Sequence, residues 1–90
     1  PPIHIRQARV ASPWGRKGAV MRQLIEETED ADRQLVDGVK VWVGDDEWVL
    51  VIPHSHKPYF VITAEGVDEA RAEALVAEYV RKVERWRDDG

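Results

Sequence analysis

The chain has no cysteine, so it can form no disulfide and no thiolate metal site, which suits a reducing compartment. It has no apolar run near the roughly 20 residues of a membrane-spanning helix, and its opening residues lack the pattern of a secretory leader. A cytoplasmic domain with no membrane partner is the expectation. Carboxylates are also missing from residues 1–25, which hold Arg6, Arg9, Arg16, Lys17 and Arg22; every acidic residue lies from Glu26 onward, although the formal charge of the whole is −4. A basic stretch can meet nucleic acid. This one has neither an aromatic-interleaved basic surface nor a reading helix, and the acidic remainder of the chain offers an internal partner, so no nucleic-acid partner is expected.

Ninety residues form one small domain with a single core of two or three layers. Pro1-Pro2 at the start and Arg87-Asp88-Asp89-Gly90 at the end lead us to expect one domain over 1–90, cut from a longer protein. No internal repeat or low-complexity segment interrupts it.

Two runs rich in β-branched and aromatic residues, Trp48-Val49-Leu50-Val51-Ile52 and Tyr59-Phe60-Val61-Ile62-Thr63-Ala64, predict strands over 47–52 and 59–64. Both faces of these strands are apolar enough to meet a neighbouring domain. Upstream, Val39, Val41 and Val43 alternate with Lys40 and Trp42, which predicts one strand running from Arg33, with a turn or bulge at Asp37-Gly38. Gly44-Asp45-Asp46-Glu47 is hairpin-turn chemistry. Near the start, Ile3-His4-Ile5 and Ala8-Arg9-Val10 place their apolar residues on opposite parities, so a first strand there needs a bulge or bend near Arg6-Gln7 and is read as kinked.

Val20, Met21, Leu24 and Ile25 predict a helix over 16–29. Ala72, Leu75, Val76, Tyr79, Val80, Val83 and Trp86 form the buried stripe of a second, over 68–87, with Asp68 and Glu69 suited to its start and Arg81, Lys82, Arg85 and Arg87 to its end. The order β-α-β-β-β-α predicts an α+β fold with a four-stranded, mainly antiparallel sheet and both helices on one face.

Between the central strands, Pro53-His54-Ser55-His56-Lys57-Pro58 is a polar, proline-bounded loop with two of the three histidines. His54 and His56 alone do not make a metal site, because no cysteine or carboxylate is adjacent. His4 reads as a structural histidine. Asp45, Asp46 and Glu47 read as a charged turn rather than a hard-metal site. No serine stands in a nucleophile setting. Of the four tryptophans, Trp14 lies in a Pro/Gly break and is expected to face a partner domain.

Val36-Asp37-Gly38-Val39-Lys40-Val41, then Trp48-Val49-Leu50-Val51, the proline-bounded loop, and Thr63-Ala64-Glu65-Gly66 before a long helix resemble the C-terminal domain of the α-D-phosphohexomutases. That family includes phosphomannomutases, phosphoglucomutases and phosphoglucosamine mutases, and the resemblance covers residues 35–86. The stretch from Ser12 to Arg22 is similar to phosphomannomutase-like regions fused behind a sugar-phosphate nucleotidyltransferase. The resemblance implies a TBP-like domain acting as a substrate-binding lid. In these mutases the corresponding loop reads Arg-Pro-Ser-Gly-Thr-Glu-Pro and grips the phosphate that is not transferred. Laid on this chain without a gap, its arginine falls on Ile52, its prolines on Pro53 and Pro58, and the residues between them on His54, Ser55, His56 and Lys57. Isoleucine cannot replace a guanidinium fork.

Two readings follow. In the first, His54, Ser55, His56 and Lys57 bind the phosphate of a hexose phosphate while other domains of the parent chain carry the phosphoserine and Mg2+. This domain then has no catalytic residue and no cofactor of its own. In the second, favoured by Ile52, the domain is a degenerate assembly or regulatory module attached to a nucleotidyltransferase.

Overall fold

A computed structural model describes residues 3–89; Pro1, Pro2 and Gly90, which entered the expectation of a longer parent, lie outside the described residues. The elements in chain order are β1 (His4–Ala11), α1 (Trp14–Glu27), β2 (Arg33–Gln34), β3 (Val39–Gly44), β4 (Glu47–Pro53), β5 (Tyr59–Gly66) and α2 (Glu69–Asp88). The strands form one sheet in the order β1-β5-β4-β3-β2, and every pairing is antiparallel.

One sheet face is the core. Val10, Val39, Val41, Val49, Val51, Phe60, Ile62 and Ala64 are buried on it, against Val20 and Leu24 of α1 and Leu75, Val76, Tyr79, Val83 and Trp86 of α2. Both helices therefore cover the same face, and complete burial of each Val- or Leu-sized side chain stabilises the fold by about 1.5–3 kcal/mol. The period-two pattern of β4 and β5 leaves Trp48, Leu50, Ile52, Tyr59, Val61 and Thr63 half-buried on the opposite face.

The helix boundaries follow local chemistry. At the start of α2 the Asp68 side chain accepts from the Arg71 amide at 2.7 Å, the N-cap bond that satisfies an orphan donor. Arg85 and Arg87 in the last turn suit the negative end of the helix dipole. α1 begins directly after Pro13, slightly earlier than the sequence pattern suggests, and Thr28 closes it by donating from its buried hydroxyl to the Leu24 carbonyl at 2.8 Å.

Two expectations are corrected. The sheet has five strands rather than four, because Asp37-Gly38 makes the turn rather than the bulge of the two expected there, and the strand expected from Arg33 is divided in two. Arg33 and Gln34 fold back to pair with Val41 and Lys40, and Asp37 takes φ 60°, the left-handed conformation that aspartate tolerates in tight turns. The bulge expected in β1 is also missing. Its register with β5 runs unbroken from His4 opposite Gly66 to Ala11 opposite Tyr59, and the parity conflict is resolved by leaving Ile5 exposed.

Glu47, which closes the turn sequence and opens the strand expected over 47–52, is the first residue of β4 and is buried. Its carboxylate accepts from the Val67 amide at 3.1 Å and the Arg71 guanidinium at 3.1 Å, clasping the β5–α2 connection. At that connection α2 crosses close over Gly66, where an added Cβ would stand 2.5 Å from the Ala72 nitrogen.

Two glycine substitutions check this packing with opposite signs. Gly66→Ala is expected to lower the unfolding free energy by about 1–3 kcal/mol through overpacking. Gly18→Ala, on an exposed part of α1 with nothing within 4 Å, is expected to raise it by up to about 1 kcal/mol through helix propensity. Urea denaturation of both variants measures the two shifts.

Candidate functional site

The β4–β5 ladder ends where Pro53 stands opposite Phe60, since proline has no N–H with which to continue it. The His54 amide then donates to the Tyr59 carbonyl at 3.0 Å, and the Tyr59 amide donates to the Lys57 carbonyl at 2.9 Å around Pro58. A tight loop over residues 54–58 is thereby closed on itself. From the end of β1, the Ser12 amide donates to the Pro58 carbonyl at 2.9 Å.

Lys17 anchors the loop from behind. Its ammonium donates to the His54 carbonyl at 2.5 Å and to the Lys57 carbonyl at 2.6 Å, and it lies 3.9 Å from the centroid of the Trp14 ring. The Lys17 side chain is buried, and burial lowers its pKa from the ordinary lysine value. The three groups on the charge are two carbonyl dipoles and an aromatic face, all of which favour a cation.

His54 braces the loop from within. Its Nδ1 accepts from the His56 amide at 3.0 Å and the Lys57 amide at 3.1 Å, which places the ring proton on Nε2. Its ring packs 4.9 Å from that of Tyr59, and the Arg9 guanidinium lies 5.0 Å from the Tyr59 ring centroid. His54 is half-buried, whereas Ser55, His56 and Lys57 are exposed.

The four residues singled out in the sequence are contiguous in the loop but do not share one cleft. His54 and Ser55 line a cleft of about 310 Å³ with Asp37, Ile52 and Pro53; His56 and Lys57 are not among its lining residues. Asp37 arrives there because Gly38 packs against the Val51 carbonyl and Ile52, leaving no room for a Cβ. A second hollow, of about 500 Å³, is lined by Ala11, Ser12, Pro13, Pro58, Arg87 and Asp88. Arg87 donates to the Ala11 carbonyl and to Asp88, both at 2.9 Å. The hydrogen bond between Arg87 and Asp88 raises the arginine pKa and lowers that of the carboxyl.

Ile52, the last residue of β4 before Pro53, is half-buried opposite Val61. On the same sheet face Trp42 pairs across the strands with Trp48, and the Lys40 ammonium stands 4.7 and 4.5 Å from their ring centroids. The Trp48 indole donates to Glu65 at 2.9 Å. Trp86 is in the core, and Trp14 is 54% exposed. Among the described residues no group of three or more His, Asp or Glu side chains is arranged to hold a metal ion, and no helix is long and apolar enough to cross a membrane.

Sequence reasoning missed Lys17 and Asp37 as neighbours of this loop. A signal for Lys17 was present: it lies three residues before Val20 and seven before Leu24, on the stripe that α1 buries. Nothing local in the sequence pointed to Asp37, whose place depends on the chain reversal.

No family model matches the chain. It is similar to curated proteins named "probable phosphoglucosamine mutase". The relative from Methanothermobacter thermautotrophicus is 35% identical over 69 residues, which cover 71% of this chain and 15% of that protein. Those from Methanocella arvoryzae and Methanobrevibacter smithii are 37% and 32% identical over 76 residues, covering 82% and 80% of this chain and 17% of each relative. The chain thus spans about one sixth of the length of the curated relatives it matches. A match of that extent is consistent with a C-terminal domain and bears out the resemblance to the phosphohexomutases.

Lys17→Met tests the anchor, because the methionine fills similar space but leaves the His54 carbonyl without its lysine donor and the Lys57 carbonyl with the Tyr59 amide alone. Loss of two charge-assisted hydrogen bonds is expected to cost about 1.5–3 kcal/mol in urea unfolding. Amide exchange at His56 and Lys57 is expected to accelerate, while that of the β5 core stays slow.

Proposed function

We propose that this phosphohexomutase-like domain is the substrate-binding lid of a mutase, with its β4–β5 loop holding the phosphate that is not transferred. The observation that carries this reading is the loop itself. At the position of the family's phosphate loop it presents the Ser55 hydroxyl, the His56 ring and the Lys57 ammonium outward, from a backbone tied down by Lys17. Three donors on a braced turn can neutralise and orient a phosphomonoester dianion. His54 contributes as the brace. By analogy with the relatives' name, the ligand class is a hexosamine or hexose phosphate.

The domain performs no bond-making step in this reading. Its contribution is to fix the distal phosphate and to close over the sugar, excluding water while other domains of the parent chain transfer the phosphoryl group. The phosphoserine and Mg2+ of that chemistry belong to those domains, in a cytoplasmic protein. The core architecture corresponds, in this reading, to the TBP-like form of mutase C-terminal domains with one short edge strand added.

Ile52 favours a second reading. With an apolar, half-buried side chain in place of a guanidinium, the domain would be a non-catalytic assembly or regulatory module beside a nucleotidyltransferase.

Titrating the 90-residue chain with glucosamine 6-phosphate and with inorganic phosphate, while following the histidine ring signals, separates the two. The lid reading expects saturable movement of the His56 ring with a dissociation constant of about 1 mM, since one domain supplies only part of the contacts, and weaker binding by Lys57→Ala. Rings that do not move at tens of millimolar ligand would assign the module.

A further inference from the structure

The bonds by which His54 braces the β4–β5 loop also define a point on which two backbone donors converge. The amide groups of His56 and Lys57, consecutive in the chain, converge on a single acceptor, the Nδ1 atom of His54, at 3.0 and 3.1 Å. Two successive amides aimed at one point form the concavity that binds anionic oxygens in proteins. Here the point is occupied by the lone pair of a neutral imidazole from the same loop. His54 and Ser55 also line the cleft of about 310 Å³ beside it, so space for an anion adjoins the ring.

We propose that His54 is an autoinhibitory mask over an anion-binding nest, and that a phosphate oxygen replaces its Nδ1 as acceptor for the His56 and Lys57 amides. The proposal rests on the phosphate-binding reading of the loop and adds its regulation. The ring and the anion compete for the same two donors. A mask differs from a ligand in sign: removing a ligand weakens binding, whereas removing a mask strengthens it.

The groups around His54 come from every element that packs there. Lys17 of α1 holds its carbonyl, Tyr59 of β5 packs at a tilt against its ring with Arg9 of β1 beyond, Asp37 of the β2–β3 turn shares its cleft, and His56 and Lys57 belong to its own loop. Asp37 is the one carboxylate in that group.

The test is a titration of the full 90-residue chain with inorganic phosphate at pH about 8, where free imidazole is neutral, read from the His56 and Lys57 amide signals. His54→Ala is expected to bind roughly three- to tenfold more tightly than the unsubstituted chain, the value of about one displaced hydrogen bond. His54→Asn, whose side-chain oxygen can accept from the same downstream amides, is expected to stay close to the unsubstituted chain. Weaker binding by His54→Ala would make His54 a ligand, sinking the mask but leaving the phosphate site standing. Absence of binding by all three proteins, also at pH about 5.5, would sink both. Should the alanine variant lose the loop structure, the unsubstituted chain decides. Its His54 ring signals are expected to shift together with the His56 and Lys57 amides as phosphate displaces Nδ1, and amides that take up phosphate while the His54 ring stays unmoved overturn the proposal.

Discussion

Phe60, Ile62 and Ala64 of β5 are all completely buried, and every layer of the domain is arranged around that row. β5 lies between β1 and β4, with unbroken antiparallel register on both sides, and α2 lies across it at van der Waals distance over Gly66. A strand held on both edges and one face cannot slip by a residue without exchanging its buried and outward rows. The loop at its start is held accordingly: the exit of β4 at Pro53 and the entry of β5 at Tyr59 are both placed by the core, and only the turn between them is left for local chemistry to shape.

That same end of the sheet holds Arg16 and Lys17 of the carboxylate-free first part of the chain. Arg16 donates to the carbonyls of Trp86 and Arg87 at 2.8 and 3.1 Å, where the helix dipole of α2 is negative. Lys17 takes the loop carbonyls. Arg6, at the other end of β1, reaches Glu69 and Glu73. The two carboxylates are mostly exposed, so those pairs contribute little to stability. Arg16 and Lys17 matter more, because they bring charged donors to backbone carbonyls at a helix end and in the loop. The charge asymmetry of the sequence thus has an internal use: it ties the first helix to the last turn of the second and to the β4–β5 loop.

The opposite sheet face follows a different logic. Trp42, Trp48, Leu50, Ile52 and Val61 are half-buried there without a covering layer, and Lys40 lies against both indoles. A lysine stem laid over aromatic rings shields apolar area while its charge stays wet. Ile52 is part of that face. It therefore packs with a cross-strand neighbour, Val61, and the charge on the loop that follows is that of Lys57.

The periodic elements were legible in the sequence because burial imposes a period that local reading can detect: two for β3, β4 and β5, and near 3.6 for α1 and α2. The proline-bounded loop, the hairpin at Asp45-Asp46 and the mutase resemblance were legible for similar local reasons. Tertiary structure decided the rest. Whether Asp37-Gly38 bulges or reverses the chain depends on whether an edge of β3 is free to accept Arg33 and Gln34, and whether β1 bulges depends on the edge of β5 with which it pairs. The loop shows the same division. Its sequence determined which donors exist, but their directions came from contacts distant in the chain, above all a lysine 37 residues before His54. A hydrogen-bond donor has a function only relative to what it faces, and facing is a property of the folded chain.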